Sequence, residues 1–172
     1  KNQKKFNSDA VITSLRNLAL CVLTADCVPV LLYDENNDLI GCLHAGWRGA
    51  ISGIIENTIN EFKKQNSNCK IIASIGPCIG VNNYEVDVNF YKRFLFDSKV
   101  NRKFFFKSND NKFNFDLRNY ISEKLKKCKV HEFDNILKDT FSDSNNFFSF
   151  RRSTKQGEKD YGRCISSIVL KD

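Results

Sequence analysis

Two apolar runs of strand length, "VPVLLYD" (28–34) and "LIGCLHA" (39–45), are separated only by the polar residues "ENND". Such a pattern reads as an antiparallel hairpin with its turn at "ENND". The apolar period then changes. Ile51, Ile54, Ile55, Thr58, Ile59 and Phe62 recur at helical spacing, with Glu56, Asn57, Glu61, Lys63 and Lys64 on the other side. That predicts a helix of about four turns, beginning near Ala50. If "ENND" is the turn, residues pair across the hairpin when their numbers sum to between 71 and 73. Cys27 then lies nearly opposite His44 at the open end, with Cβ atoms about 5 Å apart. Both stand at strand ends, where side chains are freer to leave the core and form a site. Pro29 favours an irregular entry beside Cys27.

The rest of the chain mixes strands and helices without strict alternation. "LALCVLT" (18–24), "KIIASI" (70–75), "KVHEFDNI" and "CISSIVL" read as strands, and "EVDVNFYKRFL" as a short helix. A further helix carries Leu117, Tyr120, Ile121 and Leu125, with Asp116 as N-cap. "RKFFFKSNDNKFNF" (102–115) reads as two strands around "SNDN", and "GPCIG" (76–80) as a turn. The expected class is α/β or α+β with mixed sheets, in one domain over residues 1–172.

Composition narrows the function. The net charge is +7, but the lysines are scattered, which describes a solvated surface rather than a nucleic-acid stripe. No nucleic-acid partner is expected, and the positive field suits a small anionic substrate. No apolar run approaches the ~20 residues of a membrane span, and no membrane partner is expected. Seven cysteines, an odd number without CxxC spacing, point away from a disulfide framework and towards a reducing cytoplasm.

His44 is one of two histidines, and Trp47 is the only tryptophan. A thiol and an imidazole side by side allow three readings. They can be two zinc ligands, a nucleophile–base pair, or packing. Gly46 and Gly49 free the backbone, the next helix offers its N-terminal amides, and Arg48 adds a planar cationic fork. Together these read as an anion site. Asp26 can orient His44, hydrogen-bond a substrate amine or cap the turn. Cys78 is a second candidate thiol. Lys107, Arg151 and Arg152 could line a site, whereas His131 reads as a surface residue.

"TADCVPVLLYD", "HAGWRGA", "IGPCIGVNNYEV" and "FFSFRR" fall in that order along the chain and, with "YGRCISSIVL", closely resemble the YfiH-type family. Its members are the multicopper polyphenol oxidase, or laccase domain, proteins. The resemblance implies an α/β sandwich with mixed sheets, related to the catalytic domain of cytotoxic necrotizing factor. It implies zinc bound through His, Cys and His, with Cys27 and His44 at two of those positions. It also implies purine nucleoside phosphorylase activity on adenosine, inosine, guanosine and methylthioadenosine, together with adenosine deamination. Substrates would be purine nucleosides and phosphate, contacted by Asp26, Gly46, Arg48, Gly49 and Cys78, with Cys27, His44 and Arg48 catalytic. An older description of the family is copper-dependent phenol oxidation, which makes copper the alternative metal. A third reading is an inactive binding paralogue.

Two departures stand out. The family's first zinc histidine lies in a "QVHG"-like segment upstream of the stretch resembling "SDAVITS". The sequence starts after that point and has no methionine, so the domain is expected to lack its N-terminal part. Where the family often has Cys-Thr before "FFSxRR", this chain has Asp139-Thr140.

Overall fold

A computed structural model describes residues 8–130 and 132–172; His131 lies outside the described residues. In chain order the elements are β1 (Ala10–Thr13), β2 (Leu20–Thr24), β3 (Val28–Asp34), β4 (Leu39–Ala45), α1 (Trp47–Ile51), α2 (Ile54–Gln65) and β5 (Ile71–Ile75). There follow β6 (Glu85–Asp87), α3 (Val88–Asp97), β7 (Phe105–Asn109), β8 (Lys112–Phe115), α4 (Leu117–Lys127), β9 (Glu132–Asn135), α5 (Phe150–Lys155) and β10 (Cys164–Ile168).

The hairpin β3–β4 forms the middle of a five-stranded sheet, ordered β1-β4-β3-β5-β9. Only the β5–β9 pair is parallel. Asp34 fixes the hairpin turn. Its buried carboxylate accepts from the Asn36 and Lys70 amides at 3.1 and 2.8 Å and from Asn37 Nδ2 at 2.5 Å. One sheet face carries Val28, Val30, Leu32, Leu43 and Ala45 against Ile55, Ile59 and Phe62 of α2 and Ile121 and Leu125 of α4. Gly41 permits this packing, because a Cβ there would stand 2.9 Å from the Phe62 ring. The opposite face carries Ile40 and Cys42 against a β2–β10 ribbon through Leu20 and Val22. A smaller sheet, β6-β8-β7, packs its aromatics with α3, and Phe94, Phe105 and Phe115 form its centre. The architecture is the expected mixed α/β sandwich.

Local expectations divide. Asp116 caps α4 by accepting from the Asn119 amide at 3.0 Å. The "EVDVNFYKRFL" stretch starts as strand and becomes helix only after Asp87, which accepts from the Phe90 amide at 2.8 Å. The single helix expected from Ala50 onward is two helices. Ser52 ends α1, and Gly53, at φ +89°, starts α2; that left-handed geometry suits glycine.

Asp139, at the position of the Cys-Thr departure, holds the 76–80 turn in place. It accepts from the Gly80 and Phe141 amides, Asn83 Nδ2 and Ser142 Oγ at 2.5–2.9 Å. Burial alone would raise its pKa, but these hydrogen bonds more than offset burial and hold it below the usual carboxylate value. A depressed folded-state pKa contributes stability above the unfolded value, near 4, and loses it as pH falls through the folded value. Asp139→Asn is therefore expected to flatten the acid limb of a thermal-melt series as pH falls below the usual carboxylate value, near 4. An unchanged acid limb would count against this account.

Candidate active site

The ladder pairs Val28 with Ala45 and Pro29 with His44. This is the upper end of the expected register, so Cys27 faces Gly46 rather than His44 directly. Because side chains alternate along strands, Cys27 and His44 still share one sheet face, the side covered by the β2–β10 ribbon. They meet over Gly46. A Cβ placed on Gly46 would lie 2.9 Å from Cys27 Sγ and 3.8 Å from His44 Nε2 and Cε1. Sγ and Nε2 are thus less than about 7 Å apart. Gly46 has an ordinary φ of −73°, so its missing side chain serves this close approach and not a turn.

His44 is oriented by a residue the sequence reading did not single out. Its Nδ1 pairs with Asp9 Oδ1 at 3.1 Å, and its backbone amide donates to the Asp9 carbonyl at 2.7 Å. The Asp9 contact fixes the ring and leaves the Nε2–Cε1 edge for Cys27. Burial, then the nearby Asp26 and Asp9 charges, pushes the Cys27 thiol up to about 11. At neutral pH it rests as a thiol, which argues against a free thiolate nucleophile.

Two chambers meet at Cys27. One, of about 230 Å³, includes His44, Phe150, Tyr161 and Arg163 in its lining. The other, of about 220 Å³, includes Asp26, Trp47, Tyr84, Leu117, Phe150 and Arg151. Arg151, named from the sequence, therefore does border the site. Its Nη1 donates to the Glu85 carbonyl at 2.8 Å, and its guanidinium lies over the Tyr84 ring. Burial holds the Tyr84 hydroxyl firmly protonated.

Other expectations need correction. Asp26 does not orient His44. Its carboxylate is committed to Thr140 Oγ1, Ser149 Oγ and the Arg151 amide at 2.7, 3.0 and 2.7 Å. The stretch Gly46–Gly49 is not a loop ahead of a helix, because α1 already begins at Trp47, and Arg48 and Gly49 lie inside it. Gly49 packs against Ile54. Arg48 borders neither Cys27 chamber; it is exposed and lies over the Trp47 ring. Cys78 is fully buried, and burial pushes its thiol up to about 12. It packs in the core and borders neither chamber. Lys107 on β7 pairs at 3.2 Å with Asp110, just past the end of that strand. Arg152 donates to the carbonyls of Thr140, Phe141 and Phe147, so it braces the chain before α5.

Zinc would require more than this pair. Cys27 and His44 are donors of the right kind, but a catalytic zinc takes three protein ligands. Among the described residues no group of three or more His, Cys, Asp and Glu side chains stands where it could hold a metal ion. The residues described do not complete a metal site, and no chemical step is assigned to one.

Gly46→Ala tests the geometry directly. The added methyl must displace Sγ while the backbone stays allowed. The melting temperature should remain close to that of the unsubstituted protein. Turnover should fall at least about tenfold, since displacements near 1 Å can cost about a hundredfold. Melting by circular dichroism and a rate assay check both halves.

Fold and site together define a mixed α/β sandwich with a thiol–imidazole pair at the open end of its central hairpin. The chain belongs to the family described as multi-copper polyphenol oxidoreductase laccase, whose model matches residues 1–171. A Rickettsia conorii protein named as a purine nucleoside phosphorylase is 39% identical over 165 residues, covering 95% of this chain and 68% of that protein. The Escherichia coli K12 protein YfiH, also named as a purine nucleoside phosphorylase, is 30% identical over 164 residues, covering 95% and 64%. A crystal structure of the Neisseria meningitidis protein NMB0706 aligns with a TM-score of 0.84 at 30% identity, covering 96% of this chain and 65% of that one. A Bacillus licheniformis structure titled as hypothetical protein YfiH aligns with a TM-score of 0.85 at 29% identity, covering 95% and 62%. The chain thus spans about two thirds of the length of these relatives. No helix among the described residues is long and apolar enough to cross a membrane.

Proposed function

We propose that the chain is a purine nucleoside phosphorylase acting at the Cys27–His44 end of the hairpin. The observation that carries the reading is the meeting of Cys27 and His44 over Gly46, with Cys27 lining both chambers. The names of the relatives support the reaction class over the copper oxidation in the family's description. In phosphorolysis the purine–ribose C–N bond breaks, a phosphate oxygen bonds to the ribose carbon, and the purine leaves with the bonding electrons and gains a proton.

Each side chain has a task in this reading. Trp47, Tyr84, Leu117 and Phe150 form a largely apolar slot suited to a flat base. The Tyr84 hydroxyl, kept protonated, donates a hydrogen bond to a purine nitrogen. Arg151 offers positive charge to phosphate or ribose oxygens. His44, held by Asp9, accepts or returns a proton at Nε2. Adenosine, inosine, guanosine and methylthioadenosine fit this substrate class, and adenosine deamination is the secondary activity of the same site. The zinc implied by the resemblance would use Cys27 and His44 as two of its ligands.

Incubation with inosine and inorganic phosphate tests the proposal. Hypoxanthine and ribose 1-phosphate should form in equal amounts, and omitting phosphate should stop both. Free ribose in place of ribose 1-phosphate would indicate hydrolysis and overturn the assignment.

A further inference from the structure

Trp47 separates two spaces. One side borders the Cys27 chamber. The other lines an open dish of about 660 Å³, together with Arg48, Arg93, Phe96 and Asp97. The dish falls within the ~300–1,000 Å³ typical of small-molecule sites. The Cζ atoms of Arg48 and Arg93 lie 5.0 and 5.3 Å from the Trp47 ring centroid. Two like charges are thus held against one ring. Neither forms an ion pair among the described residues. The carboxylate on the dish, Asp97, accepts from Asn101 Nδ2 at 3.1 Å instead. Phe96 is 95% exposed. It follows Arg93 by three residues on α3, so the two share a helix face.

We propose that this dish binds a nucleotide, with the phosphate between Arg48 and Arg93 and the base against Phe96. Planar guanidinium forks match phosphate oxygens in bidentate fashion. A dianion in the dish is attracted to both charges. An exposed aromatic face stacks bases without regard to their sequence-reading edges. Inorganic phosphate would use the arginines and leave Phe96 bare, whereas an uncharged nucleoside would use Phe96 and leave the arginines unpaired. A nucleotide uses both. This site lies across Trp47 from the Cys27 chamber, and the inference does not depend on the catalytic reading.

The single tryptophan makes the test direct. Trp47 emission is followed while adenosine 5′-monophosphate is added, with and without saturating adenosine. A saturable change is expected, at a concentration that adenosine does not shift. Arg93→Gln should weaken binding at least about tenfold, as expected for loss of charge-assisted hydrogen bonds. Arg93→Lys should fall in between, since charge remains and the fork is lost. Phe96→Ser should abolish the preference for the nucleotide over inorganic phosphate. Arg93 and Phe96 are exposed, so melting curves should not move. The proposal is overturned by any of three results: no saturable change, competition with adenosine, or unaltered binding by Arg93→Gln. Equal affinity for inorganic phosphate and the nucleotide would overturn the role of Phe96 and with it the nucleotide assignment.

Discussion

Asp26→Ala is expected to cost about 3–5 kcal/mol of folding stability, from the buried donors it strands and the backbone strain it leaves together. Asp26 is 8% exposed, and its partners Thr140 and Ser149 are 2% and 1% exposed. Removing the carboxylate strands two buried hydroxyls and the Arg151 amide, each an unsatisfied donor costing about 1–3 kcal/mol before relaxation. The backbone adds to this. Asp26 has a φ of +79°, which aspartate and asparagine tolerate better than alanine. Asp26→Asn should therefore cost less, about 1–2 kcal/mol, because the conformation and one carbonyl acceptor remain. Urea unfolding measures both. A loss below about 1 kcal/mol for Asp26→Ala would show that these donors find other partners. Through the Arg151 amide the same network holds the start of α5 beside the site.

His44→Ala should reduce phosphorolysis by about 10²–10⁴-fold, the range typical of a positioned proton-transfer group, and Cys27→Ala should lower it as well, because the thiol stands beside the Nε2–Cε1 edge of His44. Stability should change little by comparison. His44 is only partly buried, and alanine at position 27 removes one sulfur beside Gly46. Asp9→Asn should have a smaller effect, about 10–100-fold, because Asp9 acts by holding the His44 ring. That ordering separates a group that meets substrate from one that orients it. Equal losses for Asp9→Asn and His44→Ala would mean that the carboxylate itself touches substrate.

The hairpin and the nearness of Cys27 to His44 were legible because local signals agreed. Strands β3 and β4 are continuous apolar runs bounded by a polar turn, and the register follows from turn length. Two residues of register remained open, and the upper end of that range places Gly46 opposite Cys27. Asp9 was not legible. It reaches His44 across 35 residues, through pairing of the four-residue strand β1 with β4, and so short a run carries little periodicity. The break between α1 and α2 was hidden because Gly53 sits within an otherwise helical pattern. The place of Arg48 outside the Cys27 chambers was hidden too, because nothing in the sequence marked the start of α1. Once α1 starts at Trp47, Arg48 is on the far side of that ring. The slot depends on Tyr84 and Phe150 meeting Cys27, and no spacing rule brings residues so far apart in the chain together.

The central claim is that Cys27 and His44 act as one catalytic unit. The most direct measurement compares phosphate-dependent inosine cleavage by Cys27→Ala, His44→Ala and the double variant, each checked for folding. Groups that act as a unit have strongly non-additive losses, so the double variant should be scarcely slower than the slower single variant. Losses that multiply, or a single variant that retains the full rate, would contradict the account.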